Sequence, residues 1–189
     1  MGVMHLGSIP TKGRLLVATP PLDDPNFDRT VVYMLEHHHE GALGVIINRP
    51  ISEELDEPLD RWTALQPSPQ SVFRGGPVEP DALIALARTT EPLTAATDEL
   101  APVAGTIASA DLTTDPAFVA GSVEAVRVFR GYSGWGPGQL EDEISRNAWL
   151  TVPAQAELIF DVPPEQRFPA AFALLGIDPS RLSGAAGHA

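Results

Sequence analysis

The sequence predicts an α+β fold: one domain, with a mixed, largely antiparallel sheet and flanking helices. Three observations carry this. Residues 29–48 hold two β-rich runs, TVVYML and ALGVII, around a polar turn, which is the pattern of a hairpin. Further short strand-like runs follow, among them VEAVRVFRG over 123–131. Two helical stretches lie toward the C-terminus, one opening after Gly138 and one running from Pro164 to Leu175.

The chain has 189 residues, which suits one domain with a substantial core. Residues 1–12 read as a loose arm and 13–189 as the domain. The hydrophobic fraction of 43% fits a soluble globular protein. No apolar run approaches the roughly 20 residues of a membrane span. The start, MGVMHLGSIP, lacks the basic segment and apolar core of a secretory signal. Cysteine is absent, which removes disulfide and thiolate chemistry and suits the cytoplasm. Twelve basic residues face 25 acidic ones, for a net charge of −13. Nucleic-acid affinity rests largely on Lys and Arg displacing counterions from phosphates. No basic stripe exists in this sequence, and Arg127 and Arg130, three apart in a strand, point to opposite faces.

In chain order, Gly13 to Ala18 is a first strand, ended by Thr19-Pro20-Pro21. Asp23-Asp24-Pro25 is turn chemistry, and Phe27 is a candidate plug onto the core. Thr30 to Leu35 is the first hairpin strand. Glu36-His37-His38-His39-Glu40-Gly41 is its turn. Three adjacent histidines invite a metal, but neighbours at a strand end point in different directions, so a solvated hairpin tip is expected and no metal site. Ala42 to Ile47 is the partner strand, apolar enough for burial on both faces. Asn48-Arg49-Pro50 closes it. Arg49 reads either as a surface ion pair or as an anion contact.

Residues 52–64 carry five acids and the core candidates Leu55, Leu59 and Trp62, with Pro58 limiting them to two short helical pieces. A strand from Ser71 runs into Arg74-Gly75-Gly76-Pro77, either a structural turn or a cradle of backbone N–H groups for an anion. Asp81 to Arg88 is a strand with helix as its competitor, and 89–104 is the least ordered-looking stretch. A short strand is expected at 105–109, and a short helix after Asp115 as cap.

Gly131 to Gly138 then concentrates four glycines and a proline in eight positions, around Tyr132, Ser133 and Trp135. Glycine reaches backbone angles closed to other residues, so this is a shaped turn. It is either a tight strand-to-helix connection or a ligand pocket floored by bare backbone. A helix follows with Gln139, Glu141, Asp142 and Glu143 in its first turn and Asn147 as its stop. Trp149 to Val152 and Glu157 to Phe160 read as strands. Pro164 opens the last helix, Pro169 kinks it and Gly176 caps it. His188, near the C-terminus, reads as a mobile residue, with a docked one as the alternative.

The passage GWGPGQLEDE, followed by NAWL, resembles the signature of the YqgE/AlgH family of bacterial proteins. LDDPNFDRTVVYMLEH, NRP, FRGGP, LGIDPSRLS and AGHA resemble it too, so the likeness runs from Gly13 to the C-terminus. The resemblance implies the same broad fold class. Some family members carry the label of a transcriptional regulator, which names no mechanism.

Three functions follow for weighing. The first is a non-enzymatic cytoplasmic protein that binds a small ligand or a protein partner in a regulatory role. Its site would be a glycine-lined cleft formed by Asn48, Arg49, Arg74, Gly75, Gly76, Tyr132, Gly134, Trp135 and Gly136, if those turns converge. Trp135, between two glycines, would wall that cleft against the turns at Arg49 and Gly75, while Trp149 would be core. The second is a hydrolase with Ser133 and His37 as nucleophile and base. YSGWG lacks the GxSxG elbow, so no catalytic residue is assigned. The third is a DNA-binding regulator without a helix-turn-helix pattern. No cofactor is indicated, and neither the ligand nor the oligomeric state can be read from the residues. The charge pattern predicts that host DNA fragments fail to bind at physiological salt. Fluorescence anisotropy checks this, and salt-sensitive binding well below the ~10⁻⁶ M end of ordinary non-specific affinity would refute it.

Overall fold

The computed structural model describes residues 10–20, 22 and 24–176. The terminal helix cap at Gly176 falls inside this range; the LGIDPSRLS motif beyond it, AGHA and His188 lie outside the described residues. Nine strands form one sheet, joined by three short α-helices: β1 (Arg14–Ala18), β2 (Val31–His38), β3 (Gly41–Ile46), β4 (Phe73–Arg74), β5 (Val78–Thr89), β6 (Leu100–Ala104), β7 (Ile107–Ala110), β8 (Val123–Trp135), α1 (Gln139–Ser145), β9 (Trp149–Pro153), α2 (Ala156–Phe160) and α3 (Pro164–Ala173). The strand order is β6-β7-β5-β8-β3-β2-β1-β9, with β4 added parallel to β8. All other pairings are antiparallel, so the mixed, largely antiparallel expectation holds.

The alternation of side chains explains why β1 from Leu15 to Ala18 and β2 from Val31 to Leu35 are apolar at every position. Leu15, Val17, Val31, Tyr33 and Leu35 face one cluster, shared with Phe73, Phe129 and the residues of α2 and α3. Leu16, Ala18, Val32 and Met34 face a second one, under α1, with Trp135 and Trp149. A third cluster, around Trp62, covers the outer face of β5 and β8. A strand buried on both faces needs apolar residues at every position.

Four expectations are corrected. The stretch Gly131 to Trp135 is strand, not turn: Gly44, Leu43 and Ala42 of β3 pair with Ser133, Gly134 and Trp135. The first half of β8 pairs instead with β5. Gly131 lies between the continuous β5 pairing, which ends at Arg130, and the β3 pairing, which begins at Ser133, and its left-handed φ of +73° bends the strand there. The run Glu157–Phe160 is helical; three apolar residues in a row do not distinguish strand from helix by pattern. Residues 89–104 contain strand β6. In 52–64 only one helical piece forms, a 3₁₀ turn over Leu59–Leu65 that buries Trp62. The Asp115 cap is as expected, its Oδ1 accepting from Ala117 N at 2.9 Å.

A buried cation ties these layers together. Arg127 is fully buried on the inner face of β8. Its Nε donates to Ile159 O, its Nη1 to Pro67 O and Pro69 O, and its Nη2 to Ser68 O and Phe160 O, at 2.7–3.4 Å. All five N–H donors of the guanidinium are thus used. Two of the acceptors are terminal carbonyls of α2, which lack partners inside the helix. Burial and the nearby Arg167 push the Arg127 guanidinium down to about 9, so it stays charged at neutral pH. Arg167 is equally buried; its Nε donates to Val162 O at 2.8 Å and its Nη1 to Ile47 O. Both cations lie over the Phe73 ring, at 4.7 and 5.0 Å.

Replacing Arg127 with Ala strands five carbonyls. Each buried group left unpaired costs about 1–3 kcal/mol, so a total loss of about 3 kcal/mol or more is expected after relaxation. Arg127→Lys brings three donors and should recover only part of it. Urea denaturation of both variants checks the order.

Candidate functional site

The structure does bring the three glycine and proline turns together, but as a solid joint. Gly75 N–H donates to Arg130 O at 2.9 Å, and Gly75 O accepts from Ile46 N at 2.8 Å and from Ser133 Oγ at 3.0 Å. A Cβ on Gly75 would lie 2.4 Å from Gly131 O, and one on Gly76 would lie 2.2 Å from the Tyr132 backbone. The space a glycine-floored cleft would need is therefore occupied by backbone. The N–H of Gly75 is already bound, so it is not free to cradle an anion there. Arg74 N donates to Arg49 O at 2.8 Å, which places Asn48-Arg49 beside the same joint.

Trp135 is the clearest correction. It is only 6% exposed and sits inside the cluster under α1. Its Nε1 and that of Trp149 both donate to Glu143 Oε1, at 3.0 and 2.9 Å. Phe27 stacks on Trp135 at 6.2 Å between centroids and meets Trp149 edge-on at 5.5 Å. The alternation of β8 puts Trp135 inward, as it does Ser133. Bare neighbours did not expose the indole; the close approach is made by Gly41 of β3, where a Cβ would lie 2.4 Å from Trp135 O. Gln139 completes the turn, accepting from Gly136 N at 3.0 Å and donating to Glu143 Oε2 at 3.0 Å.

The hydrolase pairing is not formed. Ser133 is fully buried and spends its hydroxyl on Gly75 O. His37 instead bridges Thr11, which the sequence placed in the loose arm and which is buried here, to α1. Its Nδ1 accepts from Thr11 N at 3.0 Å, and its Nε2 contacts Glu141. His37 is thus a docked residue and only His38 and His39 remain at the tip; His39 is exposed. The Thr11 hydroxyl also lies 2.9 Å from Nδ1, which gives a hydroxyl–imidazole–carboxylate chain. Thr11 is 1% exposed, so that hydroxyl offers a substrate no approach. Among the described residues no group of His, Asp and Glu has metal-binding geometry.

What Asn48 and Arg49 hold is the loop before β2. Arg49 Nη1 donates to Asn26 O, and its Nη2 donates to Asp28 O at 2.9 Å. Asn48 Nδ2 donates to Arg29 O at 2.9 Å, and Asn48 Oδ1 accepts from Val31 N at 3.0 Å. Among the described residues Arg49 therefore makes no ion pair, and its guanidinium is spent on backbone carbonyls. Desolvation, the largest cause, and repulsion from Arg74 lower its pKa, while Asp28 and Asp24 oppose them. The clamp fixes Arg29 at φ +53°, a conformation a non-glycine residue adopts at some cost. One side of the clamped loop delivers Phe27 to the tryptophans. The other delivers Arg29, whose guanidinium lies 4.7 Å above the Phe168 ring. Beside it opens a cavity of about 170 Å³ lined by Ala18, Thr19, Pro20, Asp28, Arg29, Phe168 and Phe172. Neither Asp28 nor Arg29 makes an ion pair among the described residues. The sequence carried one signal of this site, Arg29 between a turn and a strand. Its partners on α3 are 139 or more positions away and gave none.

Known proteins agree with the fold and fix the family. Residues 15–180 match the AlgH-like family profile. The chain belongs to the AlgH-like family. It is 45% identical over 181 residues to a UPF0301 protein of Cupriavidus pinatubonensis, covering 93% of this chain and 94% of the relative. A UPF0301 protein of Streptomyces coelicolor is 46% identical over 148 residues, covering 76% and 75%. The solution structure of the AlgH protein from Pseudomonas aeruginosa superposes with a TM-score of 0.69 at 36% identity, over 93% of this chain and 94% of that one. A crystal structure of a Corynebacterium diphtheriae protein gives 0.79 at 26% identity, over 86% and 85%.

The burial of Trp135 changes the expected mutational pattern. Trp135→Ala should cost about as much as Trp149→Ala, some 3–5 kcal/mol each. Equilibrium denaturation of the two variants side by side checks this. A Trp135→Ala loss below about 1 kcal/mol would return the indole to the surface.

Proposed function

We propose that this chain is a non-enzymatic binding protein with a regulatory role in the cytoplasm, and that it takes a small ligand in the cavity between the 26–31 loop and α3. One observation carries the reading: Asn48 and Arg49 together hold Arg29 in a left-handed conformation over Phe168, at the edge of that cavity. Backbone strain held by dedicated side chains clusters at ligand sites. The cavity is small beside the ~300–1,000 Å³ of pockets for drug-sized molecules, which limits the ligand to metabolite size. The candidate residues Asn48 and Arg49 keep a place in this reading as supports of the site, and Gly75, Gly76, Gly134 and Gly136 as parts of the frame. No helix among the described residues is long and apolar enough to cross a membrane.

An NMR screen of a small-metabolite library against ¹⁵N-labelled protein tests the site. Shifts should gather at Thr19, Asp28, Arg29, Phe168 and Phe172. Perturbation centred on Gly75 and Gly134 instead, or none with any compound, would refute the assignment.

A further inference from the structure

We infer that the cavity beside Arg29 recognises a free aliphatic α-amino acid, through its carboxylate, its ammonium group and its side chain at once. The inference rests on the binding reading above and names the ligand class. Asp28 and Arg29 are chain neighbours of opposite charge, and both line the cavity. They do not pair with each other: no N···O approach within 4 Å joins them. Arg49 binds the Asp28 carbonyl and Asn48 the Arg29 carbonyl, so the two side chains are set apart by a fixed backbone. Two opposite charges on one rim, neither paired among the described residues, suit a ligand that presents both signs.

The donors are available. The contact with Phe168 uses the face of the Arg29 guanidinium and none of its N–H groups, and no hydrogen bond from that guanidinium exists among the described residues. A planar fork with its edge free is suited to a carboxylate. Thr19 does not compete for it, because its hydroxyl is committed to Asn147 O and Ala148 O, at 2.5 and 3.0 Å. Ala18, Pro20, Phe168 and Phe172 form the apolar wall. Phe168 and Phe172 meet edge to face at 4.9 Å and, like Ala18, present only a small edge to the cavity, so they make a firm floor, and Pro20 is the exposed apolar contact. A cavity of about 170 Å³ with this lining suits a small aliphatic side chain.

Net charge separates the zwitterion from a plain anion. The protein carries −13, and Asp28 adds a local negative charge at the rim. A free carboxylate meets repulsion from both. An α-amino acid has no net charge, and its ammonium group turns Asp28 from an obstacle into a partner.

Three probes of matched shape decide the matter: L-leucine, 4-methylpentanoate, which lacks the amine, and isoamylamine, which lacks the carboxylate. Calorimetry and NMR titration of the full chain should show L-leucine binding at least tenfold more tightly than either analogue. Arg29→Gln should bring leucine down to the affinity of the amine, and Asp28→Asn to that of the acid. Both changes fall on exposed side chains and leave the fold intact by circular dichroism and melting temperature. Binding of 4-methylpentanoate as tight as that of leucine, with shifts at Phe168, would overturn the zwitterion and leave the cavity as the site. Leucine binding unchanged in both variants would overturn it too. Failure of all three probes to shift any amide sinks the amino-acid inference, and the library screen alone then decides whether the cavity binds anything.

Discussion

The structure depends on one strand serving two partners. β8 runs for 13 residues, pairing with β5 from Val123 to Arg130 and again at Tyr132, and with β3 over its last three residues. The strand bends at Gly131, whose φ of +73° no side chain would accept readily. Gly75 must then come close, because its N–H and C=O complete the hydrogen bonding at the corner. Any side chain at Gly75 would collide with the Gly131 carbonyl. The glycines that look like a ligand floor are the consequence of backbone crossing backbone.

The corner also decides what lies on each face of the sheet. Before it, Arg127 and Phe129 point to the inner cluster, where α2 and α3 close the core. After it, Ser133 and Trp135 turn inward under α1. A charged residue at the centre of the inner face survives because it is saturated with carbonyls. An unpaired buried guanidinium would cost far more than it returned. Arg127 spends its donors on two segments that have unpaired acceptors, the 67–69 turn and the end of α2. Two segments distant in sequence are thereby fixed to β8 by one side chain.

The candidate site grows out of this frame. Ile46 N–H reaches Gly75 O, so the end of β3 is held at the joint, and Asn48-Arg49 emerges from it with a fixed direction. Those two side chains hold the 26–31 loop on both flanks. Phe27 on one side and Arg29 on the other then face different layers of the protein. The loop is short, polar and exposed in part, yet its backbone carbonyls at 26, 28 and 29 are all taken by side chains from β3's end. Loops that are held this firmly on a rigid scaffold are where proteins place recognition.

The sequence by itself determined what local pattern can determine. Period-two alternation and β-rich composition gave the hairpin, β1 and the approach to Gly131, and Pro164 and Asp115 marked helix starts. Its charge balance bears on partners in the same way, since net charge needs no fold to act. The tertiary structure decided everything that depends on a partner far along the chain. Glu157–Phe160 became a helix because its carbonyls end on Arg127, 32 and 33 positions away. Trp135 became core because Glu143, Phe27 and Trp149 surround it. His37 left the hairpin tip because Thr11 and Glu141 meet it from either end of the chain. The cavity at Arg29 joins the second strand's approach to the last helix, and only the closed sheet brings those surfaces face to face. Local preference is written in neighbouring residues; long-range pairing depends on which of many apolar surfaces fit together, and that is settled when the chain folds.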